Sequence, residues 1–198
     1  MTARETILSG ETARSALMAV ALATFAAALV AVAARAEFHL WFTPVPITLQ
    51  VLVVLLIGLS LTPRQSFLAL SEYIAAGIIG LPVFSGGGSG IAWLLGPTGG
   101  YIWGFLVAAP LVGILALWLG QRWSIIAALA GIAVIYVLGW YHLSQWYFLV
   151  RDEASPWMLA YRNGVEPFVL IDIAKAIVAV SLVYGGTRLG LSLPGARK

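Results

Sequence analysis

Long stretches without a charged side chain are the feature that most constrains the fold of this chain. Ser15–Ala34 and Pro97–Leu119 contain no Asp, Glu, Lys or Arg. A helix that crosses a bilayer needs about 20 mostly apolar residues. Over the whole chain, 61% of the residues are hydrophobic and 10% are charged, whereas a soluble domain has about 25% charged residues. The sequence therefore predicts an integral membrane protein.

Six apolar segments have the length, or nearly the length, of a spanning helix. They are Ser15–Ala34, Ile47–Leu61, Gln65–Leu81, Pro97–Leu119, Ser124–Leu143 and Pro167–Tyr184. Pro63, Pro97 and Pro167 lie near predicted helix starts, where the missing N–H of proline costs little. We predict an all-α fold, a polytopic bundle of six transmembrane helices that forms a single membrane domain over residues 1–198.

Basic residues are distributed unevenly between the two ends of this predicted bundle. Seven lie at the end that holds both termini and three at the other end. The seven are Arg4, Arg14, Arg64, Arg122, Arg188, Arg197 and Lys198, and the three are Arg35, Arg151 and Arg162. Because cytoplasmic loops carry the excess of Lys and Arg, both termini are predicted to be cytoplasmic. The first apolar run lacks a small-residue cleavage site after it, so we expect a retained span rather than a signal peptide.

Several classes of function are disfavoured by the sequence. The basic residues are scattered rather than clustered, which favours topology signals over nucleic-acid binding. The glycine-rich stretch Gly80–Gly104 has no P-loop lysine and no strand–turn–helix context, which disfavours nucleotide binding. There is no cysteine, and His39 and His142 lie outside any catalytic motif. We therefore predict no catalytic residue, no metal site and no cofactor.

Two charged residues lie inside the last predicted span, in the sequence FVLIDIAKAIVAV. Asp172 and Lys175 are three residues apart and therefore share one face of a helix. Ionisable side chains are costly in hydrocarbon and usually face a partner or a cavity. The pair is either a structural ion pair that fixes helix packing or a ligand site. In a ligand site, Asp172 accepts hydrogen bonds from N–H groups and Lys175 donates to a carbonyl or carboxylate oxygen.

Four other polar residues lie in or near the predicted spans. Glu72 pairs with Lys175, stays protonated or faces a partner protein, and the sequence leaves these alternatives open. Tyr73 is either a packing residue or part of a pocket wall. Thr48 and Gln50 lie near the outer end of the second span. There they either make interfacial hydrogen bonds or contact a substrate that arrives from outside.

Small residues recur at intervals of four along the first span. They are Ser15, Ala19, Ala23, Ala27 and Ala31. Small side chains at this interval allow two helices to approach closely. The alanine ladder, Ala19 to Ala31, either packs inside the same bundle or forms an exposed face on which another membrane protein docks.

Two stretches of the chain resemble the BioY family. Pro44–Phe105 contains the motifs PVPITLQ, GLPVF and GPTGGY, and Pro167–Ala179 (PFVLIDIAKAIVA) has Asp and Lys three apart. Members of this family are the biotin-binding S components of energy-coupling factor transporters. Glu72 departs from the family pattern, which usually has an apolar residue at that position.

The resemblance implies a biotin site near the outer end of the bundle, closed by the loops between spans one and two and between spans three and four. Asp172 and Lys175 are then expected to meet the ureido ring of biotin, which presents N–H donors beside a carbonyl oxygen. Backbone N–H groups of the glycine-rich loop, or an outer arginine, are expected to hold the ligand carboxylate. The loop itself is expected to act as a lid, because glycine adopts backbone angles that other residues avoid.

The remaining walls of such a site need apolar and aromatic side chains for the thiophane ring and valerate chain of biotin. Tyr73, Phe84, Trp93 and Tyr101 are the candidates. The full predicted substrate-binding set is Asp172, Lys175, Tyr73, Thr48, Gln50, Phe84, Gly87, Trp93, Gly99 and Tyr101.

The resemblance also implies partners. Through a docking face at Ala19, Ala23, Ala27 and Ala31, the chain is expected to bind a transmembrane coupling protein that works with two cytoplasmic ATPase subunits. The expected location is the lipid bilayer of a prokaryotic cell membrane, and the expected function is capture of biotin from outside and its delivery across the membrane. Two alternatives stay open, an S component for a different vitamin and an intramembrane enzyme or accessory subunit.

Overall fold

The computed structural model describes residues 3–189, with side chains described from residue 15 onward, and it is mostly helical. Within this range the α-helices are α1 (Ala3–Arg35), α2 (Gln50–Ser60), α3 (Pro63–Ile78), α4 (Ile91–Leu95), α5 (Gly99–Leu119), α6 (Ser124–Arg151), α7 (Pro156–Gly164) and α8 (Val169–Arg188). An antiparallel hairpin of β1 (Glu37–Phe38) and β2 (Ile47–Thr48) connects α1 to α2. The predicted all-helical fold misses this hairpin.

Among the described residues, four helices are long and apolar enough to cross a membrane. They are Ser15–Arg35, Gly99–Leu119, Gln121–Arg151 and Val169–Arg188. The six predicted segments overlap α1, α2, α3, α5, α6 and α8, but α2 has 11 residues and α3 has 16. At 1.5 Å per residue these two helices extend about 16 Å and about 24 Å, short of a hydrocarbon core of about 30 Å. The four long apolar helices nevertheless give the structure the character of a multi-pass membrane protein.

The connections contain more regular structure than the sequence predicts. The short helix α4 lies in the predicted loop between the third and fourth spans, and α7 lies in the predicted loop between the fifth and sixth. Helix α6 continues to Arg151, past the predicted end at Leu143. It ends where Asp152 adopts a left-handed conformation with φ 52°, a common way to terminate a helix.

A tight turn joins α2 to α3. Thr62 caps α3 by accepting a hydrogen bond from the backbone N–H of Gln65, and the Gln65 side chain accepts one from the backbone N–H of Thr62. Pro63 occupies the first helical position, where its fixed backbone angle suits a helix start. This reciprocal capping explains why two short helices, rather than one long helix, follow the hairpin.

Close helix contacts around α5 depend on glycine. A Cβ atom added to Gly58 of α2 would lie 2.7 Å from the carbonyl oxygen of Ala109 on α5. One added to Gly104 of α5 would lie 2.9 Å from the Cα atom of Ile135 on α6. Side chains at these glycines would separate the helices, so small residues set the spacing of the core, as in other membrane bundles. Helices α2, α5 and α8 all begin at the end of the bundle where the hairpin lies, called here the hairpin end.

The structure corrects the prediction of a docking face on α1. That helix packs chiefly against α3, and Ala23 is 0% exposed and Ala27 8% exposed. Ala19 and Ala31 are half-buried. The exposed side of α1 carries larger apolar residues such as Leu17, Met18, Phe25 and Val32. The alanine ladder therefore packs inside the bundle, because its small side chains let α1 approach α3 closely.

Glu72 lies on the same α1–α3 contact. Its carboxylate oxygen Oε2 accepts a hydrogen bond of 2.8 Å from Thr24 Oγ1 on α1. Lys175, in contrast, forms its ion pair with Asp172. The structure therefore does not show the pairing of Glu72 with Lys175, which was one of the three predicted alternatives.

Candidate ligand-binding site

A cavity opens at the hairpin end of the bundle and is called here the Asp172 cavity. Its empty volume is about 550 Å³, including the open space at its mouth. The polar side chains that line it include Thr48, Gln50, Tyr136, Asp172 and Lys175. The apolar lining includes Val45, Val51, Ile102, Phe105, Ile135 and Phe168. A few polar groups among apolar walls is the usual composition of a ligand site.

Asp172 and Lys175 form a buried ion pair in this cavity. Lys175 Nζ donates to Asp172 Oδ1 at 2.6 Å, and the side chains are three residues apart on one face of α8. Asp172 is 3% exposed and Lys175 is 9% exposed. Asp172 lies in the first turn of α8, where the helix dipole favours a negative charge. Since the two charges offset each other, the cavity suits a polar group without net charge.

Tyr136, on α6, is a further polar residue of the site, and the sequence did not predict it. Its hydroxyl donates a 2.7 Å hydrogen bond to Asp172 Oδ2, so each carboxylate oxygen of Asp172 has one donor. Tyr136 is a lone phenol in the apolar run GIAVIYVLG of α6. A hydroxyl in such a run requires a buried partner, and this is the signal by which the residue could have been found.

Thr48 at the end of β2 and Gln50 at the start of α2 line the cavity and belong to one hydrogen-bond network. The backbone N–H of Gln50 donates to Thr48 Oγ1 at 3.2 Å. The Gln50 side-chain amide donates to the Tyr73 hydroxyl at 2.8 Å. Tyr73 therefore lies behind Gln50 and does not line the cavity. Its observed contribution is to orient the Gln50 amide.

Tyr101 lines the Asp172 cavity from the first turn of α5. Its hydroxyl donates to the carbonyl oxygen of Gly164 at 2.9 Å. A Cβ atom on Gly164 would lie 2.1 Å from that hydroxyl, and one on Gly139 would lie 2.3 Å from the ring. These two glycines therefore leave the space in which the Tyr101 ring packs between α6 and α7.

Phe84 does not line either cavity described here, contrary to prediction. It is fully buried, and its ring lies over Gly77 of α3, where an added Cβ atom would come within 2.0 Å of the ring. The ring also makes an edge-to-face contact with Tyr73, with centroids 5.5 Å apart. Phe84 thus anchors the loop after α3 to the bundle through packing that the chain sequence does not reveal.

The loop that follows Phe84 is tied to the end of α1. The guanidinium of Arg35 donates to the carbonyl oxygen of Pro82, and Glu37 Oε2 accepts a 2.6 Å hydrogen bond from the backbone N–H of Gly86. Gly87 has φ +72°, a conformation that side-chain-bearing residues rarely adopt, and it lies against Arg35. Gly87 therefore shapes the loop and does not line the Asp172 cavity.

Gly99 also does not line the Asp172 cavity. A Cβ atom at this position would lie 1.7 Å from the carbonyl oxygen of Leu94 and 3.1 Å from Nε2 of His142. His142 in turn lies 3.0 Å from the carbonyl oxygen of Gly96 through the same nitrogen. Gly99 therefore lets α4 pack onto the start of α5, which is a structural role.

Trp93 lines a second cavity at the hairpin end, called here the Trp93 cavity. Its empty volume is about 470 Å³. It adjoins the Asp172 cavity, because Pro46, Ser85 and Thr98 line both. Of the ten predicted substrate-binding residues, the structure therefore brings five to the Asp172 cavity and Trp93 to its neighbour. The five are Thr48, Gln50, Tyr101, Asp172 and Lys175.

The side chains of the Asp172 cavity can form hydrogen bonds with both the donors and the acceptors of a ligand. An ammonium has three N–H donors, and Lys175 spends one of them on Asp172. The carboxylate oxygens of Asp172 keep further lone pairs beyond the two bonds they accept. Within the part of the chain that the structure describes, no group of three or more His, Asp or Glu side chains lies together as a metal site would require.

Comparison with known proteins decides the family. Residues 5–190 match the BioY family. The chain belongs to the BioY family. Similar BioY proteins include the probable biotin transporter of Pyrococcus horikoshii, with 40% identity over 146 residues that cover 73% of this chain and 82% of that protein. The biotin transporter of Thermotoga maritima is 39% identical over 137 residues, which cover 69% of this chain and 77% of that protein.

The BioY fold is also found in a solved structure. The S component for biotin from an ECF-type ABC transporter, determined as a crystal structure, has a TM-score of 0.74 and 25% sequence identity to this chain. The alignment covers 95% of each chain. The resemblance inferred from PVPITLQ, GPTGGY and the last span is therefore confirmed at the level of family and fold.

Proposed function

We propose that this BioY-family protein is the biotin-binding S component of an energy-coupling factor importer. The observation that carries the proposal is the mutually neutralising pair of Asp172 and Lys175, which is buried in a cavity and has one donor already fixed on each carboxylate oxygen. The relatives named as biotin transporters support the choice of ligand. They also favour transport over the alternative of an intramembrane enzyme.

The ureido ring of biotin is complementary to the hydrogen-bond donors and acceptors that this pair leaves unused. Its N–H groups donate to the carboxylate of Asp172, and its carbonyl oxygen accepts from the ammonium of Lys175. Thr48 at the end of β2 and Gln50 at the start of α2 border the ring, and Tyr101 and Phe168 form apolar walls beside it. A hydrogen bond to a charged group is worth about 1.5–3 kcal/mol, so two such bonds account for selection of a cyclic urea over an apolar ring.

The membrane arrangement that we propose has six spans with both termini in the cytoplasm. Arg64, Arg122 and Arg188 lie at the end opposite the hairpin, and Arg197 and Lys198, which belong to the same prediction, lie outside the described residues. An excess of basic residues marks the cytoplasmic side. The hairpin end, with both cavities, then faces outward.

The partners follow from the family. A transmembrane coupling protein and two ATPase subunits are proposed to supply the energy for import in a prokaryotic cell membrane. The solved S component of an ECF-type ABC transporter supports this assembly. The alanine ladder is not proposed as the docking face, because Ala23 and Ala27 are buried.

Isothermal titration of the purified protein in lipid nanodiscs with biotin, and separately with thiamine and riboflavin, tests the proposal. The expected result is saturable binding of biotin at one site per chain and no binding of the other two vitamins. Tight binding of another vitamin without biotin binding would replace the ligand and keep the class. Recovery of chemically altered biotin after incubation would replace the class with an enzyme.

A further inference from the structure

Two arginines come together at the end of the bundle opposite the hairpin. Arg122 belongs to a single 3₁₀ turn, Gln121–Trp123, between α5 and α6, and Arg188 is the last residue of α8. The side-chain amide of Gln121 donates a 2.5 Å hydrogen bond to Thr187 Oγ1. Because the chain neighbours of the two arginines are bonded to each other, both arginines lie at one place on the surface.

Each of these guanidinium groups is held over an aromatic ring. Arg122 Cζ lies 5.7 Å from the centroid of the Trp123 ring, and Arg188 Cζ lies 4.6 Å from the centroid of the Tyr184 ring. Arg188 also donates a 3.0 Å hydrogen bond to the Tyr184 hydroxyl. A guanidinium that stacks on a ring keeps its charge and its planar fork of donors. Both arginines are therefore positioned in advance for a ligand.

The charges of these two arginines are not offset by a carboxylate among the described side chains. Within that part of the chain, the one ion pair joins Asp172 and Lys175, near the hairpin end. A guanidinium has five N–H donors, and Arg188 uses one of them on Tyr184. Two exposed cations that lie together with unused donors are complementary to an anion.

The depth of this place in a membrane follows from the helices that end there. Helices α5 and α8 are long and apolar enough to cross a bilayer, so their last turns lie at the level of the lipid headgroups. Trp118, in the last turn of α5, is 84% exposed, and Trp123 and Tyr184 are also exposed. Trp and Tyr are enriched at this level of the membrane. The anion at hand beside exposed aromatic rings at this depth is the phosphate of a phospholipid.

The hairpin end provides an internal comparison. Arg151, at the end of α6, also stacks on a ring, with Cζ 5.5 Å from the centroid of Trp146. Asp152 and Glu153 follow it directly in the chain, so acidic groups surround this arginine. The same stacked geometry therefore occurs at both ends of the bundle, but an excess of positive charge accompanies it only at Arg122 and Arg188.

We propose that Arg122 and Arg188, with the aromatic rings beside them, form a surface that binds the headgroup of an anionic phospholipid. The guanidinium groups donate to its phosphate oxygens, and the exposed rings contact its glycerol backbone and acyl chains. A lipid fits this surface better than an acidic protein segment, because the surface is cationic and apolar side by side. The inference goes beyond the proposed function and does not depend on which ligand is transported.

Native mass spectrometry of the protein in detergent tests this surface. The protein is incubated with equal amounts of phosphatidylglycerol and phosphatidylcholine that carry the same acyl chains, and the ratio of the two lipids retained is measured. The wild type is expected to retain phosphatidylglycerol at least about fivefold more, the effect of about one basic residue near an anionic headgroup. In the double variant Arg122→Gln, Arg188→Gln the preference is expected to fall to about twofold or less. The control is Arg151→Gln, Arg162→Gln, which removes two arginines at the hairpin end and is expected to keep the wild-type ratio.

Three results would overturn the proposal. Equal retention of the two lipids by the wild type leaves the arginines to an acidic segment of a partner protein. An undiminished preference in the Arg122→Gln, Arg188→Gln variant places the lipid elsewhere. Displacement of phosphatidylglycerol by inorganic phosphate at constant ionic strength assigns the surface to free phosphate. If the double variant does not fold in a thermal melt, the single variants decide, and a wild-type ratio in both overturns the surface.

Discussion

Lys175 Nζ lies 2.6 Å from Asp172 Oδ1, and both side chains are buried at the start of α8. The sequence left open whether this pair is structural or ligand-binding, and the geometry shows that the two roles are compatible. The pair neutralises itself in the apoprotein and still keeps donors and acceptors that face a cavity. Removing one partner leaves a buried charge uncompensated, so variants at this pair must be checked for folding as well as for binding.

Asp172→Asn is expected to weaken biotin binding by about 1.5–3 kcal/mol, the value of a hydrogen bond to a charged group. The amide removes the negative charge that the ligand N–H groups would meet and leaves Lys175 without its ion-pair partner. Titration calorimetry in lipid nanodiscs measures the loss, and a thermal melt of the same nanodisc sample confirms the fold. Glu166→Gln is the matched control, because Glu166 is exposed just before α8. Wild-type affinity in Asp172→Asn contradicts the ureido assignment.

Tyr136→Phe is expected to reduce biotin affinity by about 1 kcal/mol, the net value of one buried hydrogen bond. The phenylalanine ring fills the same space on α6 but no longer donates to Asp172 Oδ2, so the carboxylate loses one of its two fixed donors. The loss is measured in the same titration.

Tyr141→Phe controls for the Tyr136 change. Tyr141 is on the same helix and is exposed, so removal of its hydroxyl is expected to leave affinity unchanged. Equal affinities for Tyr136→Phe, Tyr141→Phe and the wild type would show that Tyr136 does not position Asp172.

Gly77→Ala is expected to destabilise the protein by about 1–3 kcal/mol, the usual cost of overpacking. The added methyl group meets the Phe84 ring, which anchors the loop after α3. Gly185→Ala is the control, because it is also a helical glycine and no atom lies within 4 Å of the added Cβ. Thermal denaturation is expected to separate the two variants, and a Gly77→Ala protein as stable as Gly185→Ala would contradict the observed seat of Phe84.

Ala23→Leu is expected to lower thermal stability, again by about 1–3 kcal/mol, because Ala23 is fully buried on α1, a helix that packs chiefly against α3. Ala28→Leu is the control on the exposed side of α1, where leucine meets lipid at no packing cost. Unfolding in mild detergent, followed by circular dichroism, measures both. If Ala23→Leu keeps full stability and instead weakens assembly with the coupling protein, the ladder is a docking face after all.

The residues best predicted from the sequence are the charged residues that lie within apolar segments. Asp172 and Lys175 are charges in an apolar run, and such groups require either a partner or a cavity, so the sequence predicts that the two side chains share one helix face and leaves open whether they pair or bind a ligand. Tyr136 was not predicted as a site residue because a single tyrosine in an aliphatic helix can face lipid, another helix or a cavity. Only tertiary packing places its hydroxyl against Asp172.

The faces of the helices were harder to predict for a physical reason. In a membrane protein the side of α1 that faces lipid and the side that faces α3 are both apolar, so hydropathy does not distinguish them. The same limit applies to Phe84, whose burial over Gly77 depends on contacts between the loop and α3. The order and type of the long helices were predictable, whereas the direction in which each apolar side chain points was not.

A structure of the protein with biotin bound is the measurement that tests the central claim most directly. The account predicts the ureido ring in the Asp172 cavity, with its N–H groups within hydrogen-bond distance of Asp172 and its carbonyl oxygen within hydrogen-bond distance of Lys175. Biotin bound at another place, or oriented with its carboxylate at the Asp172–Lys175 pair, would contradict it.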